Sequence, residues 1–119
     1  GTDRQVTLKS PDKDIEALLK EAENYEKKGD YSNALINYKE VGRLAWDAPT
    51  EMKCGIAVYR ISKFLIERDR NGEFVFEARK SSYTKHLEAA IDFLSSAILS
   101  DKNLIEAYKT RAAAYRLLK

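Results

Sequence analysis

The chain has 119 residues, 44% apolar and 34% charged, with 21 Lys and Arg against 19 Asp and Glu for a formal charge of +2. That length suits one domain, and the near balance of charge leaves no electrostatic footprint for nucleic acid. One Cys and one His exclude an internal disulfide framework and a Cys-rich zinc site. Five Gly and two Pro are too few turn-makers for a sandwich or small barrel.

The first ten residues, GTDRQVTLKS, lack the apolar run of a signal peptide. Gly1 and Thr2 read as a tag remnant, residues 1–12 as remnant plus leader, and residues 13–119 as the domain. No stretch approaches the ~18 consecutive apolar residues that span a bilayer. The expectation is therefore a domain excised from a longer, soluble, cytoplasmic protein.

Ser10-Pro11-Asp12 offers a cap with Pro just inside a helix start, and Ile15, Leu18, Leu19, Ala22 and Tyr25 follow at helical spacing. Lys27-Lys28-Gly29-Asp30 ends this helix, because cations suit the carbonyl end and Gly takes a left-handed cap. Asp30 or Ser32 caps a second helix with a stripe of Ala34, Leu35, Tyr38, Val41 and Leu44. Asp47-Ala48-Pro49-Thr50 ends it and caps a third, from about Glu51 to Arg68, apolar on two faces and so expected between neighbours. Asp69-Arg70-Asn71-Gly72 breaks that helix. Residues 73–82, with Phe74, Val75 and Phe76, read either as a short extended piece or as the start of a long helix. A helix follows from Tyr83 to Leu99, then a turn at Asp101-Lys102-Asn103, then a last helix from Leu104 to Lys119 containing Ala112-Ala113-Ala114.

Self-comparison gives two offsets. Tyr25 and Tyr59, and Leu18 and Met52, stand 34 residues apart, while Ala34 and Ala90, and Tyr59 and Tyr115, stand 56 apart. One insertion of 22 residues between about Lys63 and Thr84 accounts for the difference. The segment AENYEKKGDYSNALINYKEV resembles the middle of a tetratricopeptide repeat, whose period is about 34 residues. Ala22, Tyr25, Gly29-Asp30-Tyr31, Ala34 and Tyr38 carry the likeness. Ala90, Leu94, Ala97 and Asp101 resemble its second helix and exit. The resemblance implies an all-α fold of five or six helices, antiparallel pairs stacked as a short right-handed solenoid. Repeat 1 would cover about 15–48, repeat 2 about 49–103, and a final helix 104–119. The second repeat departs from the pattern: Ile56 stands for the small residue, and no Gly-Asp-Tyr turn is present. Ala22, Ala34, Ala90 and Ala112 would be small where backbones approach. Tyr25, Tyr38, Tyr59 and Tyr115 would fill gaps between helix pairs.

Catalytic chemistry is not visible. His86 has no nucleophile or acid motif around it and reads as exposed or capping. Cys54 has no CxxC partner, although Lys53 beside it could lower its pKa modestly. Glu16, Glu21, Glu23 and Glu26 interleave with lysines as a solvated face rather than a metal site. No phosphate loop, dinucleotide fingerprint or EF-hand loop is present. The expectation is no enzyme, no cofactor and no metal. Trp46 reads as a staple between the repeats, and Phe74 with Phe76 either as cover for the long helices or as a docking patch.

The tetratricopeptide likeness implies that the first helix of each pair lines a concave groove for a peptide or partner segment. Carried over, the groove holds Glu16, Leu19, Lys20, Glu23 and Glu26, then Thr50, Lys53, Cys54, Ala57 and Arg60, then Glu106, Lys109, Thr110, Ala113 and Arg116. The chaperone-binding subgroup of that family uses a five-residue clamp of Lys, Asn, Asn, Lys and Arg on a terminal carboxylate. Leu19, Glu23, Cys54, Glu106 and Thr110 stand at those places, and none matches. Residues 1–48 carry a net −2 and 49–119 a net +4. Lys53, Arg60, Lys109 and Arg116 are thus expected at one end of the groove and Glu16, Glu23 and Glu26 at the other, favouring an acidic or dipolar segment. The leading expectation is a groove-binding interaction module of a cytosolic adaptor or co-chaperone, monomeric or weakly dimeric, with no membrane insertion, no nucleic acid and a chaperone linkage left open. The alternatives are a scaffold or dimerisation domain, and a three-helix trafficking domain of the MIT (microtubule-interacting and trafficking) kind with an extension.

Overall fold

The computed structural model describes the backbone of residues 11–72 and 74–119, and the side chains of 14–72 and 76–119. The tag remnant, residues 3–10 of the leader and with them the Ser10 cap lie outside the described residues, whereas Pro11 and Asp12, read as the end of the leader, already belong to the first helix. The described residues form five helices and no strand: α1 (Pro11–Lys27), α2 (Tyr31–Leu44), α3 (Ala48–Arg70), α4 (Phe74–Ser100) and α5 (Ile105–Leu118).

The helix ends follow local chemistry. Gly29 has φ +78°, and the amides of Gly29 and Asp30 return to the carbonyls of Glu26 and Tyr25 at 3.0 and 2.9 Å, closing α1. Asp30 caps α2 by accepting from the amide and side chain of Asn33 at 3.3 and 2.8 Å. Asp47 caps α3 by accepting from the amide and hydroxyl of Thr50 at 2.9 and 2.8 Å, with Pro49 in the first turn. Each such cap contributes about 1 kcal/mol.

Within residues 63–84, where the sequence suggests an insertion, residues 63–72 form the end of α3 and a turn at Asn71-Gly72, and residues 74–84 the start of α4. They continue both helices, so α3 reaches 23 residues and α4 27, against 14 in α2 and α5. Residues 74–82 are helical, which decides between the two readings of that stretch. Asp69 and Arg70 do not break α3. Asp69 is buried within it, where its carboxylate accepts from the hydroxyl of Tyr83, from Arg68 at 3.0 Å and from Arg79 at 3.2 Å. Those bonds tie the outer ends of α3 and α4 together.

Each helix packs on the next, α3 also touches α5, and α2 touches α4. The core contains Ala22, Ala34, Tyr38, Val41, Val58, Ile61, Leu87, Ala90 and Ala114. Two glycines allow close helix approach. A Cβ on Gly55 would lie 2.7 Å from Leu94 Cγ and 3.2 Å from the Ala90 carbonyl, and one on Gly42 would lie 2.7 Å from the Phe93 ring. The small residue where α3 meets α4 is therefore Gly55, not position 56, and it stands 33 residues from Ala22 rather than 34. Ile56 faces away from this contact, into a cleft.

Three further expectations are corrected. Ala112 is exposed; Ala107 and Ala114 are the fully buried small residues of α5, because α5 presents the opposite face to α3 and α4. Tyr115 is 53% exposed and fills no gap between helix pairs. Trp46 is 78% exposed and staples nothing: the link from α2 to α3 is only Ala45–Asp47, and Ala48 takes the buried place beside it.

Candidate functional site

A cleft of about 760 Å³ lies between α1 and α3. No Cα of α1 comes within 8 Å of a Cα of α3, so side chains alone bridge the gap. Pro49, Met52, Ile56 and Ala57 form an apolar wall from α3, and Glu23, Glu26 and Lys27 contribute from α1. Pro49, Met52 and Ile56 stand at i, i+3 and i+7, which places them on one helix face.

Two ion pairs span the cleft. Lys53 Nζ meets Glu23 Oε2 at 3.2 Å. Arg60 donates twice to the Glu26 carboxylate, Nε to Oε2 at 2.9 Å and Nη2 to Oε1 at 2.8 Å. Tyr38, 2% exposed, donates its hydroxyl to the same Oε1 at 2.8 Å. Burial pushes Glu26 up, but the bonds from Arg60 and Tyr38 outweigh it and hold the carboxyl below its ordinary range. Tyr38 moves the other way, its phenol raised well above normal by burial and by the Glu26 charge. The cleft thus has an apolar wall and paired charges of both signs.

The predicted groove residues separate in space. Glu23, Lys53, Ala57 and Arg60 line the cleft together. Leu19 is packed against the core instead. Lys109, Ala113 and Arg116 belong to α5 and do not line this cleft. The expected charge separation is also overturned: Glu23 and Glu26 stand opposite Lys53 and Arg60 and neutralise them, rather than occupying a different end. Sequence reasoning missed Met52, Ile56 and Tyr38 as cleft residues. The i, i+3, i+7 spacing of Met52 and Ile56 with Pro49 was a visible signal, but it matches ordinary core packing equally well, and Tyr38, on α2, carried no such signal.

Phe76 is half-buried, its ring 6.4 Å from that of Tyr83 and 4.9 Å under the Arg70 guanidinium. It covers the α3–α4 contact and does not stand out as a docking group. The Phe74 side chain lies outside the described residues. Cys54 is fully buried, and burial pushes its thiol up to about 12 despite the nearby Lys53 charge, so the expected lowering is reversed.

His86 is neither exposed nor a cap. It borders a second hollow of about 640 Å³ with Asp30, Lys39, Arg68, Arg79 and Tyr83. Its Nδ1 is buried without a hydrogen-bond partner. Burial, then the Lys39 charge, pull its pKa down to about 4. Among the described residues, no group of three or more His, Cys, Asp or Glu side chains is placed to hold a metal ion. No described helix is long and apolar enough to cross a membrane. No family model, curated protein or solved structure matches the chain at a significant level.

Proposed function

We propose that this chain is a non-enzymatic interaction module of the tetratricopeptide type, which holds a partner segment in the α1–α3 cleft as part of a cytosolic adaptor or co-chaperone. The observation that carries the reading is the cleft itself, an apolar wall between two helices rimmed by fixed charges, the usual form of a recognition site. A stacked solenoid of antiparallel pairs is the architecture this reading takes. In its support, the link from α1 to α2 is three residues long, and Asn37 donates to Glu21 at 2.8 Å, as a tight hairpin requires. The succession of contacts along the chain also suits it.

Paired charges change the ligand chemistry expected from sequence. A strongly acidic segment would meet Glu23 and Glu26 as well as Lys53 and Arg60. A segment with an apolar anchor against Met52 and Ile56, and polar groups of both signs beside it, suits the cleft better. The mismatched clamp positions lead to a plain expectation: a peptide ending in Glu-Glu-Val-Asp does not bind through its terminal carboxylate, as calorimetry with the amidated peptide would check.

The test of the main reading uses short peptides selected from a displayed random library against the folded chain. Binding should perturb the amide resonances of Met52, Lys53 and Ile56. Ile56→Ala, which removes part of the wall, and Lys53→Glu, which faces Glu23 with a like charge, should each weaken binding about tenfold or more with helicity retained. Peptides that bind with equal affinity to both variants would overturn the cleft as the site. A second reading, a scaffold domain, is favoured by one observation, the exposed apolar face of α5.

A further inference from the structure

Single exposed apolar residues are ordinary, but a contiguous stripe marks an interaction site. On α5, Ile105 is 65% exposed, Tyr108 40% and Tyr115 53%, and Ala112 among them is exposed too. At 3.6 residues per turn these four fall within an arc of about 80° and a length of about 15 Å. The opposite face, with Ala107, Thr110 and Ala114, is the buried one. The stripe is not loosely held. Arg111 donates to Ser95 Oγ on α4 at 3.1 Å, and its guanidinium lies 5.7 Å from the Tyr108 ring centroid, fixing one edge. Lys109 and Arg116 border the other edge, both exposed and neither in an ion pair among the described residues.

We propose that this face docks an amphipathic helix of a partner protein, whose apolar stripe is bordered by Asp and Glu. Ala112 is small where the second backbone must come close, and a tyrosine lies one turn to either side to pack around it. Charge decides the occupant. Between its ends α5 carries Lys109, Arg111 and Arg116 against Glu106 alone. The same face of a second copy would bring like charges together along the contact, whereas acidic borders would meet Lys109 and Arg116. The surface is separate from the α1–α3 cleft, and the proposal does not depend on what that cleft binds.

Two synthetic helical peptides with the same Leu and Ala stripe, one bordered by Glu and its twin by Lys, test the proposal by titration into isotope-labelled protein. The Glu peptide should perturb the amides of Tyr108, Ala112 and Tyr115, bind about tenfold or more tighter than its twin, and weaken as salt rises. Ala112→Arg should abolish binding with the melting temperature unchanged, since that side chain is exposed. Lys109→Glu with Arg116→Glu should reverse the preference between the peptides, a result that loss of folding cannot produce. Equal binding by the twins, or none by either, would overturn the proposal. A footprint confined to Met52 and Ile56 would overturn it while leaving the cleft reading in place. Light scattering that shows a dimer, lost in Ala112→Arg, would give the face to a second copy instead.

Discussion

Helix α3 meets two neighbours in opposite ways. Against α4 it brings its backbone close at Gly55, which packs on the Leu94 side chain and the Ala90 carbonyl. Against α1 it keeps its distance, and Lys53 and Arg60 reach across to Glu23 and Glu26. One contact is made by the absence of a side chain, the other by the longest side chains available. The first excludes everything else from the seam; the second leaves space that a ligand can use. On the proposed reading, stability and recognition thereby fall on different sides of one helix.

The largest expected effect comes from filling the tight side. Gly55→Leu forces carbon atoms into Leu94, which is fully buried and has nowhere to go. A loss of about 3 kcal/mol is expected, read as a lower urea midpoint. An unchanged midpoint would show that α3 and α4 do not depend on this contact.

An intermediate effect separates the tight side from its surroundings by pH. His86, on α4, is held neutral, its pKa about 4 when folded against about 6.5 unfolded. Between those values the unfolded chain binds more protons, so the stabilisation is complete above pH 6.5 or so and drains away as pH falls toward 4. The expected loss is roughly 1–2 kcal/mol once partial exposure is allowed for. Urea titrations at pH 7 and pH 4.5 should show it, and His86→Gln should flatten it.

The smallest effect lies on the open side. Arg60→Ala removes a half-exposed pair and should cost no more than about 1 kcal/mol. Glu26 is held below its ordinary value, so its contribution is present above about pH 4.3 and lost as pH falls through the folded value. The variant should show a shallower acid limb. A loss comparable to that of Gly55→Leu would mean that the two sides are not distinct after all.

Much of the fold was legible in the chain. Helix starts and stops followed from Gly29, Asp30, Asp47 and Pro49, because capping is decided within a few residues. The length of α3 and α4 was less legible. Asp69 looks like a breaker until its partners Tyr83 and Arg79, on another helix, are known. The register of α3 failed by one residue for a similar reason: Tyr59 aligned with Tyr25 in sequence, but contact with α4 selected Gly55. Of the site, the residue types were readable and their pairing was not. Lys53 and Arg60 look like free cations along the chain, and only the approach of α1 reveals their partners. On α5 the periodic pattern identifies an apolar stripe but not whether it faces inward, so Ala112 and Tyr115 were placed in the core and stand outside it.

The burial of Cys54 equips the molecule with its own reporter. A thiol with no exposed surface and a pKa near 12 does not react with a disulfide reagent at neutral pH. Trp46, already in water, would change its fluorescence little on unfolding. Thiol labelling kinetics would then follow each excursion in which the core opens, and a cysteine introduced on the surface could carry a probe without competition from the native one.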